Sequence, residues 1–293
     1  MNAADPLRPG DRLRARLATP EPIVVPGVWD ALTARLAVDA GFAGVFVSGF
    51  CVAASTLAMP DVGLVTQVEM ADVARRVCAA VPGSLVVVDA DTGYGNAVNV
   101  IRTVELWESA GAAGMFLEDQ VWPKRCGHMS GKQVVDVDDW LGKLRAACDH
   151  REHIHVTART DALAVNGLDD AIERAKMARD TGADAVFVEA PASVAELEAI
   201  ASALPDVTLV ANMVESGRTP LLTPGELADL GYRFVVAPVA AMFGAVHAMR
   251  RVFTILAEHG TLRDDLDHLV TFDDFTELVG LPVIAEIDAR YRS

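Results

Sequence analysis

The chain has 293 residues, 52% of them hydrophobic, 23% charged and 6% aromatic, a globular composition far from the disordered or collagen-like extremes. Its 41 acidic side chains against 25 Lys and Arg leave a formal charge of −16. That charge repels phosphate backbones and anionic lipid alike, so nucleic acid and membrane surfaces are not expected partners.

The first residues, 1 to 16, are polar, carry four arginines and lack the apolar core of a signal peptide. No uncharged apolar run of about 18 residues stands out as a bilayer span. Cys51, Cys78, Cys126 and Cys148 make no CxxC pair and no zinc-ribbon spacing, and a reduced, cytoplasmic compartment is the natural setting.

Short apolar runs then recur along the chain: Ile23–Val25, Gly44–Val47, Leu85–Asp89, Gly114–Leu117, Ile154–Ala158, Ala185–Val188, Val207–Ala211 and Phe234–Ala237. Rich in Val, Ile and Phe with little alternation, they read as parallel strands buried on both faces. Between them, Ala31–Ala40, Gln67–Ala80, Ala97–Ala110, Val137–Cys148, Asp169–Thr181, Val194–Ala203 and Pro224–Leu230 carry apolar residues at helical spacing, and a long apolar helix, Ala240–Glu258, follows the eighth run. Asp169, Ser193 and Thr223 stand where N-caps belong; Gly41, Gly111, Gly182 and Gly231 stand where left-handed C-caps belong.

Eight alternating units predict a (β/α)8 TIM barrel, an α/β fold; a doubly wound sheet is the runner-up, without the GxGxxG of its dinucleotide-binding form. The chain is taken as a single domain over 1–293. The barrel occupies about 20–260, and a C-terminal helical extension of about 261–293, with patterns at Phe272–Val279 and Ile284–Tyr291 split by Pro282, is free to pack on a neighbouring subunit.

In such barrels the chemistry sits at the C-terminal strand ends. Those ends supply Ser48 and Gly49, Asp89 and Asp91, Glu118 and Asp119, Arg159 and Asp161, Glu189, then Asn212 and Glu215. Crowded carboxylates repel unless a cation neutralises them. Asp89 and Asp91, two apart on a strand, share a side, and with Glu118 they make an oxygen-rich set suited to Mg²⁺ or Mn²⁺, which keeps several waters. Solvated loop acids or a salt-bridge network would leave the same pattern. Lys124-Arg125-Cys126-Gly127-His128 surrounds one thiol with basic groups, a setting that lowers a thiol pKa; an ordinary basic loop with an incidental Cys reads the same way. Arg159 offers a fork for a carboxylate substrate, or for a structural partner such as Asp161 or Glu189.

Taken together these residues resemble the isocitrate lyase and phosphoenolpyruvate mutase superfamily. The likeness runs from about Val24 to Pro238 through Ser48-Gly49, Pro60-Asp61-Val62-Gly63, Asp89-Ala90-Asp91-Thr92-Gly93-Tyr94-Gly95, Leu117-Glu118-Asp119-Gln120, the Lys124–His128 loop, Ala158-Arg159-Thr160-Asp161, Glu189-Ala190 and Asn212-Met213-Val214-Glu215. The resemblance implies a barrel whose eighth helix is swapped onto a partner, with dimers paired into tetramers. It also implies Mg²⁺ and an α-keto or α-hydroxy acid substrate. The loop is most like that of 2-methylisocitrate and 2,3-dimethylmalate lyases.

On that likeness, Asp89, Asp91 and Glu118 hold the metal with Asp61 behind them. Ser48, Gly49, Arg159, Glu189 and Asn212 bind substrate. Cys126 delivers a proton, aided by Lys124 and His128. The implied function is a carbon–carbon lyase acting on a 2-hydroxy-2-alkyl di- or tricarboxylate. Phosphonomutation, decarboxylation of oxaloacetate-like acids and non-catalytic keto-acid binding are the alternatives. Phe46 replaces a Tyr usual two residues before the Ser-Gly pair, and Phe50 replaces a Gly after it, which implies a pocket smaller or more apolar than that for methylisocitrate.

Overall fold

The computed structural model describes residues 7–127, 129 and 131–292. By chain compactness it divides into two units, Met1–Ala241 and Met242–Ser293.

The first unit opens with helix α1 (Pro9–Leu17), then runs β1 (Ile23–Val28), α2 (Ala31–Asp39), β2 (Gly44–Val47), α3 (Gly49–Leu57), α4 (Gln67–Ala80), β3 (Leu85–Asp89), α5 (Ala97–Ala110) and β4 (Gly114–Glu118). It continues with α6 (Val137–His150), β5 (His155–Thr160), α7 (Leu163–Asn166), α8 (Leu168–Asp180), β6 (Ala185–Val188), α9 (Val194–Ala203), β7 (Thr208–Asn212), α10 (Pro224–Asp229) and β8 (Tyr232–Ala237). The eight strands are all parallel and form a closed barrel in sequence order, with Ile23 of β1 opposite Phe234 of β8. The expected barrel is therefore present, with its strands where the apolar runs placed them.

Each strand is buried on both faces because alternate residues serve different layers. Phe46, Val87, Phe116, Phe187, Val210 and Phe234 point into the barrel, where Phe116 lies 5.0 Å from Phe46, 5.7 Å from Phe187 and 5.6 Å from Phe234 between ring centroids. Their neighbours Val45, Val47, Val86 and Val88 face outward into the layer that holds Met70, Trp107 and Trp140 of the surrounding helices.

Helix α1 is absent from the apolar periodicity. Only Leu13 and Leu17 are buried hydrophobics on it, and both join the interior cluster of the barrel. Its Arg14 fixes it in place, donating to Asp184 at 2.8 Å and to the carbonyls of His153 and Ile154 at 2.8 and 2.9 Å.

Most caps follow the sequence. Ser193 and Thr223 accept from the N3 amides of their helices, and Gly41, Gly111, Gly182 and Gly231 take φ of 95°, 93°, 95° and 101°. Asp169 does not cap. The N-cap of α8 is Gly167, with no side-chain bond, and Asp169 lies in the first turn, where a carboxylate still favours the positive end of the helix dipole.

Helix α11 (Ala240–His259) crosses the division between the units. The second unit continues through a 3₁₀ turn at Leu266–His268 to α12 (Phe272–Leu278) and α13 (Leu281–Tyr291), where Pro282 sits in the first turn rather than breaking the helix. By length and composition α11 is apolar enough to cross a membrane, which the sequence reading did not credit because Arg250 and Arg251 interrupt it. The same composition serves a helix that packs on protein.

Candidate active site

The strand ends gather an unusual density of buried charge. Asp61, Asp89, Asp91, Glu118, Asp119, Asp161 and Glu189 are all at most 8% exposed. Facing them are the buried Lys124, Lys132 and Arg174, and Arg159 with its side chain 12% exposed.

Asp89 ends β3, but Asp91 lies past it at φ 45°, so strand alternation is not what brings the two together. The left-handed turn at Asp91 does so, with its amide donating to Asp89 Oδ1 at 3.2 Å. Both carboxylates reach the start of α3. A Cβ on Gly49 would lie 2.8 Å from Asp89 Oδ2, too close without a shift of that carboxylate, and in ordinary contact with Asp91 Oδ1 at 3.6 Å.

Lys124 Nζ bridges Asp61 at 2.5 Å and Asp91 at 2.8 Å. Its charge is thus met by carboxylates rather than reserved for the thiol, and Arg125 is exposed, with its guanidinium beside Gly131. Burial pushes Asp91 up to about 7, with Asp89 and Asp61 adding to the rise and Lys124 opposing it. Burial likewise holds Glu118 well above the ordinary carboxylate range despite Arg159.

Glu118 Oε1 is shut from solvent and has no hydrogen-bond partner among the described residues. Also among the described residues, no three His, Cys, Asp or Glu side chains stand close enough to form a complete metal cage. An excess of buried carboxylate, one orphaned oxygen and few direct ligands suit Mg²⁺, which keeps waters and takes one or two protein carboxylates. The residues therefore fit the expected ion.

Ser48 and Gly49 gain a physical role from α3, which the sequence reading missed. Ser48 is its N-cap, accepting from the Cys51 amide at 3.4 Å, and the positive end of the helix dipole points to the strand ends beside Asp89.

Arg159 donates through Nε and Nη2 to Asp161 at 3.0 and 3.2 Å, approaches Glu118 at 3.3 Å and Glu189 at 3.6 Å, and lies over the Phe187 ring. Asp161 is held by a second buried set: its amide donates to Asp119 at 2.8 Å, and Asp119 also accepts from Thr160 at 2.7 Å and Arg174 at 3.2 Å. Asn212 donates to Glu189 at 3.2 Å.

The loop after β4 is closed at its base by backbone bonds, Val121 to Gln133 and Val135 to Asp119, each 2.8 Å. Two residues order its tip: Gln120, named in the sequence motif without a role, and Lys132, which the sequence did not single out. Gln120 pairs with both the amide and the carbonyl of Arg125, at 3.0 and 2.8 Å. Lys132 joins the Gly127 carbonyl at 2.5 Å to Asp161 at 2.6 Å. Nothing in their spacing marked these roles, because their partners are set by the path of the loop.

Gly127 lies flat on the site: a Cβ there would be 2.6 Å from both Arg159 Nη2 and Glu189 Cδ. Cys126, half-buried, precedes Gly127 in the chain. His128 lies outside the described residues. The other thiols differ in setting. Burial pushes Cys51 and Cys78 up to about 12 and Cys148 up to about 11.

Comparison with known proteins adds family to geometry. A family model described as phosphoenolpyruvate phosphomutase matches residues 13–257. The petal death protein of Dianthus caryophyllus is 45% identical, covering 92% of this chain and 86% of that one. The 2,3-dimethylmalate lyase of Eubacterium barkeri is 43% identical, covering 96% and 97%. The solved structure of oxaloacetate acetylhydrolase with the inhibitor 3,3-difluorooxalacetate matches with a TM-score of 0.92 at 37% identity, covering 96% of each chain. With the model spanning most of the barrel and full-length relatives above 40% identity, the chain belongs to the phosphoenolpyruvate mutase/isocitrate lyase superfamily.

Proposed function

We propose that this chain is a Mg²⁺-dependent carbon–carbon lyase that splits a 2-hydroxy-2-alkyl di- or tricarboxylate into an α-keto acid and a carboxylic acid. The observation that carries the reading is the seating of Gly127 on Arg159 and Glu189, which brings the loop that carries Cys126 onto the buried charge cluster at the strand ends. Likeness to 2,3-dimethylmalate lyase over nearly the whole chain supports it.

Asp89, Asp91 and Glu118 would hold the ion, directly or through water, with Asp61 acting through Lys124. When bound, the ion supplies positive charge for the oxygen anion that develops on the substrate. The Ser48 hydroxyl and the Gly49 amide at the start of α3 would bind the substrate carboxylate together with Arg159, whose Nε and Nη2 are held by Asp161 and whose Nη1 faces Glu118. Glu189 and Asn212 complete the wall.

A general base takes the hydroxyl proton, the oxygen closes to the keto-acid carbonyl as the C–C bond breaks, and the bond pair passes to the departing fragment. Cys126 then gives a proton to that carbon. His128 offsets the negative charge, while Lys124, paired with Asp61 and Asp91, acts on the carboxylate cluster. Phe46 is stacked on Phe116 inside the barrel, so no phenol stands there as base.

The chain is read as a cytoplasmic enzyme working as a dimer of dimers. The test is a screen of 2-alkylmalates, methylisocitrate, isocitrate and oxaloacetate with coupled keto-acid detection. A 2-alkylmalate should turn over with Mg²⁺ and stop in excess chelator. Turnover unaffected by chelator, or none with any hydroxy acid, would sink the lyase reading. Hydrolysis of oxaloacetate alone would favour the second reading, which rests on the equally close oxaloacetate acetylhydrolase fold.

A further inference from the structure

Beside the carboxylate cluster, on its outer side, the first unit holds a cavity of about 510 Å³. Its walls come from the loop before α4 (Gly63, Leu64, Val65), the turn after β3 (Thr92, Tyr94), Trp122 and Lys143. The walls are chiefly apolar. Nothing in the proposed reaction uses this space, and neither Lys143 nor Trp122 entered the sequence-based site.

Lys143 is the chemically informative wall. It is half-buried, its Nζ donates to the Thr92 carbonyl at 3.0 Å, and it forms no ion pair among the described residues. Only the field of Asp139 favours its charge; burial opposes it and lowers its pKa. A cation left unpaired in an apolar recess, in a chain of formal charge −16, gains most from an anion that brings apolar surface with it. The neighbouring polar groups are already committed: Thr66 to Glu69, Gln67 to Thr103 and Gln120 to Arg125.

Tyr94 separates this recess from the carboxylates. Its backbone is left-handed at φ 60°, a strained setting for an aromatic residue, and its ring stands 6.2 Å from Trp122 and 6.0 Å from Trp107. Its hydroxyl is shut from solvent without a hydrogen-bond partner among the described residues, in the field of Asp91, Asp89, Lys124 and Asp61. One ring therefore faces both compartments, and Trp122 lies two residues before Lys124.

We propose that this cavity is a second binding site, for an amphipathic monocarboxylate whose carboxylate meets Lys143 and whose hydrocarbon body lies against Leu64, Val65, Tyr94 and Trp122. An occupant of this kind sits apart from the reacting centre and presses on the Trp122 ring and on Tyr94, which stands in the field of Asp91 and Lys124. The proposal does not depend on which acid the enzyme cleaves.

The probe is decanoate, followed by calorimetry and by tryptophan fluorescence on the full chain. Wild type should bind it saturably. Decanol, the same body without the charge, should bind at least tenfold more weakly, as should decanoate to Lys143→Met. Decanoate binding should persist in saturating oxalate and Mg²⁺. Equal affinity of wild type for decanol and decanoate would overturn the proposal without any variant. So would Lys143→Met binding decanoate as wild type does, or loss of binding in oxalate and Mg²⁺, which would place decanoate in the reacting centre. Failure of the lyase reading would show only in the substrate screen and leaves these outcomes unaltered.

Discussion

At the scale of single residues, one hydrogen atom separates a working loop from a displaced one. Gly127→Ala places a methyl 2.6 Å from Arg159 Nη2 and Glu189 Cδ, and neither can move away easily, since Arg159 is tied to Asp161 and Glu189 to Asn212. The loop must lift instead. A misplacement of about 1 Å near a reacting centre can cost on the order of a hundredfold in rate. We expect kcat of Gly127→Ala to fall by about that factor with an unchanged melting temperature, and wild-type kcat would show that the loop does not work in this position. Cys126→Ser tests the proton itself. General acid catalysis is worth about a hundred- to ten-thousand-fold, so kcat should fall in that range while KM moves little, because Arg159, Ser48 and the Gly49 amide remain. Cys78→Ser is the control and should leave turnover unchanged, since that thiol packs against the outer core, far up its titration range. A Cys126→Ser enzyme with full kcat would make the thiol a bystander. The strand-end residues were legible because their strands were. The roles of Gln120 and Lys132 were not, because the partners they meet, Arg125 and Gly127 backbone and the Asp161 carboxylate, are set by a loop whose path no periodicity records.

Among the elements, α1 shows how a polar segment closes a hydrophobic barrel, and it carries the clearest pH dependence. Its Arg14 meets Asp184, which also accepts from Arg151 and from the Val156 amide at 2.8 Å. Burial alone would raise Asp184, but the bond from Arg14 and the neighbouring charges hold it below 3.8. Close by, His155 is fully enclosed, and burial drives its pKa from 6.5 down to about 4. For a pKa depressed on folding, the unfolded chain takes up a proton first as pH falls, so stability present above pH 6.5 is lost between 6.5 and about 4. The buried imidazole accounts for roughly 3 kcal/mol of that loss. His155→Gln should therefore flatten the fall in chemical stability between pH 6.5 and 4 relative to wild type, whatever its stability at neutrality. Parallel curves for the two proteins would show that the imidazole is not held neutral. This layer was invisible in the sequence for a plain reason: α1 buries two leucines four apart amid arginines, too little pattern to announce a helix. Helix α3 was hidden differently, by starting at Gly49 directly after a strand, and α7 is a single turn. The strands and the long helices were legible because burial on two faces, or on one stripe, writes a period into the chain.

For the whole molecule, the exposed apolar side chains of the second unit decide what surrounds it. On α11, Phe253 is 64% exposed, with Met249 and Leu256 beside it on the helix; on α13, Val283 and Ile284 are about 60% exposed and Ile287 is 47% exposed. A soluble monomer rarely presents so much contiguous apolar surface, so these faces are covered in the working protein. Two coverings are physically open, lipid or protein. A lone span would have to carry Arg250 and Arg251 near its middle, at a cost of about 2.5–3.5 kcal/mol each, a cost that a protein partner does not impose on groups left in contact with water. The proposed dimer of dimers would supply the protein partner. We therefore expect the wild type to stay in solution without detergent and to scatter light, at low micromolar concentration, with four times the mass of one chain. Phe253→Asp together with Ile287→Asp should lower that mass while leaving the far-ultraviolet helical signal of the barrel intact, because neither side chain belongs to the first unit. A wild type that scatters as a single chain would remove the dimer of dimers, and one that leaves solution unless detergent is present would return α11 to the bilayer.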